Sequence, residues 1–274
     1  MLSALLDPLL LLELLSLGLV AGFLAGLLGI GGGMLMVPFL TLILGQRGVP
    51  ADMAVKMAIA TSMATIAFTS LSSVRAHHKR GAVRWPLVQG MAPGIVLGGL
   101  LAGAGAFALL KGQVLAGVFG LFVSFSATQM LRNSKPTPSR QMPGLAGQTA
   151  AGTGIGFLSG LVGAGGGFVS VPFMTWCNVP IHHAVATSAA LGFPIALANT
   201  LGYVLGGWSL PPALPGAFGF LYLPALVVIA AASVTMAPLG ARTAHAMNVA
   251  QLKKAFAVLL YALAAYMVWK AFAG

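Results

Sequence analysis

Acidic residues are nearly absent from this chain. Of 274 residues only Asp7, Glu13 and Asp52 carry carboxylates, all within the first fifth. A glycosidase-type carboxylate pair, an acidic cage for a hard cation and an Asp/Glu proton relay each need acids beyond position 52, and none is there. Cysteine is as scarce: Cys177 stands alone, which excludes an internal disulfide and any Cys-x-x-Cys metal or redox pair. Charged residues of either sign make up 6% of the chain, against roughly 25% in soluble domains. Hydrophobic residues make up 58%, and the mean hydropathy is +0.97. So few charges cannot cover a water-facing surface, and the composition is that of a membrane protein. No Lys or Arg precedes Arg47, so the apolar stretch at 9–28 lacks a basic leader and is expected to be retained, not cleaved. The formal net charge of +11 comes from cations scattered among apolar runs. They form no basic stripe with interleaved aromatics, which excludes a nucleic-acid partner.

Polar and basic punctuation divides the chain into segments near the roughly 20 residues that a spanning helix requires. Long helices are expected at 9–28, 53–73, 86–110, 112–131, 144–163, 184–207, 220–241 and 255–273. Two shorter apolar pieces, 34–44 and 168–175, each follow a glycine cluster. A helix over 34–44 would be about 16 Å long, half of the ~30 Å hydrocarbon core, and cannot span upright. The stretch from Arg132 to Arg140 holds two prolines and three cations and reads as a linker. Trp85, Trp176, Trp208 and Trp269 fall near segment ends, as headgroup anchoring requires.

The halves on either side of that linker are copies of one another. Residues 22–40 align without gaps on residues 156–174, with twelve of nineteen positions identical. A second anchor follows, Ala60-Thr61-Ser62 in one copy and Ala186-Thr187-Ser188 in the other. The expected organisation is a first repeat at 1–131, a cytoplasmic linker at 132–143 and a second repeat at 144–274, together forming one transmembrane domain. Charge placement then sets orientation. The 75–84 loop of the first half is cationic, whereas the corresponding 208–219 loop has no Lys or Arg and the next one, 242–254, has three. Corresponding loops therefore prefer opposite sides of the bilayer under the positive-inside rule. The fold class expected is an all-α polytopic membrane protein of two inverted repeats. Each repeat is a glycine-broken hairpin, re-entrant or short, plus three transmembrane helices, and both termini lie outside the cytoplasm.

The duplicated glycine clusters are the first candidates for chemistry. Gly31, Gly32 and Gly33, and Gly165, Gly166 and Gly167, each precede a short helix closed by Val-Pro-Phe. Irregular backbone at membrane depth is tolerated only where it is buried in protein or lines a cavity. The unpaired N–H groups and positive dipole end of a helix starting there would cradle an anion. Thr61, Ser62, Thr187 and Ser188 can donate to anion oxygens without adding a charge, or can back-bond within their own helices. Lys56 and His182 align when the Ala-Thr-Ser anchors are superposed, with His183 adjacent, and Asn199 is a further polar candidate in an apolar segment. Neither His182-His183 nor His77-His78 has metal-pair spacing, since neighbours on a helix point in different directions.

The twin Gly-x-Gly-Gly-Gly-x-x-x-Val-Pro-Phe motifs, each followed by Ala-Thr-Ser, resemble the sulfite exporter TauE/SafE family of anion permeases. The resemblance extends over essentially the whole chain. It implies a bacterial inner-membrane permease for sulfur-containing organic or inorganic anions, with a central site at Gly31, Gly32, Gly33, Thr61 and Ser62 and at Gly165, Gly166, Gly167, Thr187 and Ser188. Alternating access at a midplane site between the repeats is the expected mechanism. An anion channel using the same cradle, or a carrier of a non-sulfur carboxylate, is the alternative. No enzyme activity, cofactor or metal is expected. The expected partners are a small anionic substrate and the lipid bilayer, with homodimer formation left open.

Overall fold

The apolar segments fold as ten helices among the residues that the computed structural model describes, 7–28, 32–132, 139–243 and 249–273. In chain order they are α1 (Pro8–Leu28), α2 (Gly33–Gln46), α3 (Ala51–Lys79), α4 (Trp85–Leu109), α5 (Gly112–Arg132), α6 (Leu145–Val162), α7 (Gly167–Trp176), α8 (Ile181–Gly207), α9 (Leu223–Thr243) and α10 (Val249–Ala273). Seven of them, α1, α3, α4, α5, α8, α9 and α10, are long and apolar enough to cross a membrane. The protein is therefore an all-α polytopic membrane protein. The eighth long segment, α6, is a helix of 18 residues that is rich in glycine and threonine. It lies backbone to backbone against α4. A side chain at Gly94 or Gly98 would collide with the backbone of Thr149 or Thr153, and one at Gly152 or Gly156 with that of Met91 or Ile95.

Helix α3 runs six residues beyond the expected end at 73, and His77, His78 and Lys79 occupy its last turn, where cations complement the C-terminal end of the dipole. Helix α4 contains a π-helical turn, Leu101–Ala106, that the apolar pattern did not indicate. Gly103 in that turn packs on the backbone of Gly202 in α8, an approach that a side chain at either glycine would block. The helix expected from 220 starts at Leu223 instead. Before it, β1 (Ala217–Phe218) and β2 (Leu221–Tyr222) pair antiparallel around Gly219.

The two glycine hairpins enter and leave the bundle at single, opposite ends. Asp7, just before α1, pairs with Arg47, just after α2, and Glu13 lies 3.4 Å from the same guanidinium. Arg47 holds the Asp7 carboxyl below the usual carboxylate range, chiefly through that hydrogen bond. At the other end the N–H groups of Ser139 and Arg140, just before α6, both donate at 3.3 Å to the carbonyl of Trp176, the last residue of α7. The Arg140 guanidinium also stacks 4.8 Å from the Trp176 ring. Each short helix thus returns to the end of the bundle from which the longer helix of its hairpin starts.

Packing interlocks the halves. Helix α1 packs on α9 and α6 on α4, while α3 packs on α8 and α5 on α10. Exchanging each helix for its counterpart in the other repeat turns the first contact into the second and leaves the last two unchanged. Each repeat thus closes against the fourth helix of the other, and the duplicated helices α3 and α8 meet at the centre.

Candidate functional site

The glycine tips of the two hairpins touch. A side chain at Gly33 would collide with the Gly163 carbonyl, and Gly163 in turn packs on Ile59 and Val37. Residues Gly32 to Val37 are buried, with Gly32 packed on Ala21. Gly31 lies outside the described residues. The second tip differs in shape. Gly163 and Gly166 adopt left-handed φ angles of 70° and 73°, a conformation that costs an L side chain about 1–2 kcal/mol, and Gly166 is the N-cap of α7 with no side chain capping it. Helix N–H groups point toward the N-terminus, so those of the first turn of α7 face the cap at Gly166.

A cavity of about 180 Å³ opens beside that second tip. Gly165 and Gly167 form part of its wall, with Ser188, Ala189 and Gly192 from α8, Ala237 and Pro238 from α9, and Ala25 and Gly26 from α1. The remaining wall is Ile66 and a polar strip on α3, made by Thr69, Ser70, Ser72, Ser73 and His77 and ending at Arg80. No Asp or Glu lines it. Ser188 hydrogen-bonds Ser170 Oγ at 2.7 Å, and Ser170 Oγ donates to the Gly166 carbonyl at 3.0 Å, so a hydroxyl chain runs from the cavity wall to the cap of α7. The cavity wall thus combines hydroxyls, the first residue of α7 and one guanidinium, with no carboxylate.

The other sequence-selected residues fall elsewhere. Thr61 Oγ1 accepts a hydrogen bond from the N–H of Tyr222 at 3.0 Å, and Thr187 Oγ1 accepts one from the N–H of Arg84 at 3.0 Å. These two contacts are equivalent, each joining the Ala-Thr-Ser threonine of one repeat to the residue before the fourth helix of the other. Ser62 is buried without a hydrogen-bond partner among the described residues. Lys56 is buried against the opposite end, donating to the Ala108 carbonyl at 3.3 Å, with Asp52 at 3.8 Å and the Phe220 ring at 5.6 Å. His182 is exposed, and His183 hydrogen-bonds the Ala82 carbonyl at 2.7 Å. Asn199 donates to the carbonyls of Ile195 and Gly156, which ties α8 to α6. Of the residues selected from sequence, the cavity therefore collects Gly165, Gly167 and Ser188.

The strip on α3 was missed, although its signal was present. Thr69, Ser73, His77 and Arg80 recur at i, i+4, i+8 and i+11, which places them on one helical face. Arg80 belongs to the cationic 75–84 loop that sets orientation and also ends this helical face.

The family profile described as Sulfite exporter TauE/SafE matches residues 14–267. The chain belongs to the sulfite exporter TauE/SafE family. A probable membrane transporter protein of Haemophilus influenzae is 34% identical over 255 residues, covering 92% of this chain and 96% of its own length. A probable membrane transporter protein of Methanocaldococcus jannaschii is 32% identical over 226 residues, 78% of this chain and 84% of its own length. One from Bacillus subtilis is 30% identical over 233 residues, 75% of this chain and 84% of its own length. No solved structure matches the chain. Membership of the TauE/SafE family and the helix inventory agree on a multi-pass membrane protein of transporter type.

Proposed function

We propose that the protein is an inner-membrane permease for a small sulfur-containing anion, such as sulfite, a sulfonate or sulfoacetate. The observation that carries this reading is the carboxylate-free cavity at the second glycine tip, with Ser188 on one wall and Arg80 at the end of the other. Sulfonate and carboxylate oxygens accept from hydroxyls and a guanidinium fork, and the cavity wall holds Ser72, Ser73 and Arg80 beside Thr69 and Ser70, whose hydroxyls donate to Ile66 and Ala67 of their own helix. The family description supplies the sulfur chemistry.

The two repeats are proposed to be inverted, since their hairpins open at opposite ends and their threonine contacts exchange under the repeat operation. The Gly33 backbone packs on the Gly163 carbonyl where the two tips meet, which supports alternating access over an open pore. With the Arg80 end in the cytoplasm, a negative-inside potential drives an anion outward by about 2.3 kcal/mol per charge per 100 mV, so export needs no coupling ion.

Purified protein should gain thermal stability with sulfite, taurine, sulfoacetate or isethionate, and proteoliposomes should exchange labelled anion against an unlabelled interior pool. Flux without exchange would indicate a channel. A shift with simple carboxylates alone would replace the sulfur assignment.

A further inference from the structure

The repeats are alike in backbone but not in what they present to the pathway. With the Ala-Thr-Ser anchors in register, Thr69, Ser73, His77 and Arg80 of α3 correspond to Ile195, Asn199, Tyr203 and Gly206 of α8. The second set is engaged in packing. Asn199 and Tyr203 donate to carbonyls of α6, at Gly156 and Gly160, and Gly206 lies against the π-helical turn of α4. On α3 at that opposite end Lys56 has Asp52 at 3.8 Å to offset its charge, and the Arg47 guanidinium there is paired with Asp7 and Glu13. The α3 side therefore carries hydroxyls, of which Thr69 and Ser70 donate to Ile66 and Ala67 of their own helix, and ends in a guanidinium with no carboxylate partner among the described residues, whereas the matching positions of α8 have neither.

We propose that the strip from Thr69 to Arg80, with Arg80 as its specificity-determining residue, makes the permease one-sided, so that its anion binds more tightly from the Arg80 face than from the opposite face. This rests on the anion-permease reading above. A cation at the mouth of a low-dielectric cleft concentrates anions there and speeds capture. Arg supplies two parallel donors to a sulfonate or carboxylate, which Lys cannot reproduce. In a carrier without coupling, tighter binding on one face is balanced by a slower limiting rate from that face, so equilibrium is untouched while low concentrations at the Arg80 face are captured.

The test is initial-rate transport of labelled taurine or sulfite in vesicles of both orientations. Half-saturation on the Arg80 face should be several-fold lower than on the opposite face, and only the Arg80 face should weaken as salt rises from 0.05 to 0.5 M, as screening requires. Arg80→Gln should raise half-saturation on the Arg80 face by roughly tenfold and remove its salt dependence. Arg80→Lys should keep the salt dependence while losing about threefold in affinity. Equal half-saturation and equal salt dependence on the two faces of the unmodified protein would overturn the one-sidedness and leave the permease reading standing. Unchanged kinetics in Arg80→Gln would overturn the role of Arg80. Absence of any anion flux or exchange would remove the permease reading and this inference with it.

Discussion

Adjacent glycines at the second tip have different jobs. Gly166 has φ 73°, so its conformation requires glycine, whereas the nearest atom to an added side chain is the movable Cδ1 tip of Ile195. Gly167 is regular helix, and a methyl group added there would meet only Ser188 Oγ, at 3.5 Å. Gly166→Ala should therefore cost about 1–2 kcal/mol from backbone conformation alone and lower the melting temperature in detergent. Gly167→Val should leave the melting temperature close to the original and weaken anion-induced stabilisation by about tenfold in concentration, because it fills the wall beside the α7 N-terminus. The opposite pattern, a folded Gly166→Ala and an unfolded Gly167→Val, would show that the tip is built another way. From sequence the triplet read as one unit. Which glycine turns the chain and which faces the cavity depends on φ angles and neighbours that residue identity does not encode.

At the scale of elements, the duplicated threonines act as fasteners between repeats. Each gives its hydroxyl oxygen to a backbone N–H of the other half, Tyr222 for Thr61 and Arg84 for Thr187. A valine in place of either keeps the volume and leaves that N–H unpaired, a cost of about 1–3 kcal/mol when the group is buried. The Thr61 contact is buried and the Thr187 contact half-buried, so Thr61→Val should lower the melting temperature more than Thr187→Val. Melting temperatures equal to the original in both would remove the fastener role. Helix positions were legible from apolar runs, because length and hydropathy are properties of the local chain. The π-helical turn of α4 and the close seam between α4 and α6 were not, since both arise from which helix lies opposite.

For the whole molecule, the ends of the bundle differ in charge. Arg75, Lys79, Arg80, Arg84, Arg132, Arg140 and Lys254 belong to one end, while Arg47, Lys56, Lys111 and Lys270 share the other with all three acids. The last turn of α10, at Trp269 and Lys270, adjoins Gln46 and Ala51 at that acidic end. Both ends of the described chain, at Asp7 and near Lys270, therefore lie opposite the Arg80 loop. Cys177 is buried, which raises its thiol pKa and makes it a poor target for thiol reagents. In a Cys177→Ser background, an impermeant thiol reagent added to intact cells should label Gln46→Cys and not Gly81→Cys, with the reverse in inverted vesicles. Labelling of both from one side would contradict the charge-based orientation.

The sequence by itself determined the membrane class, the helix inventory, the duplication and the family, because hydropathy, segment length and motif spacing survive without knowledge of contacts. The missing carboxylates also support the proposed anionic substrate. Only the tertiary structure decided that the halves interlock, that Gly32 and Gly33 pack against Ala21 and Gly163 while Gly165 and Gly167 border a cavity, and that the cationic end of α3 belongs to that cavity. Two equivalent motifs have equal claim to the site in one dimension. Once folded, each meets different neighbours, and the polar strip on α3 with no counterpart on α8 breaks the equivalence.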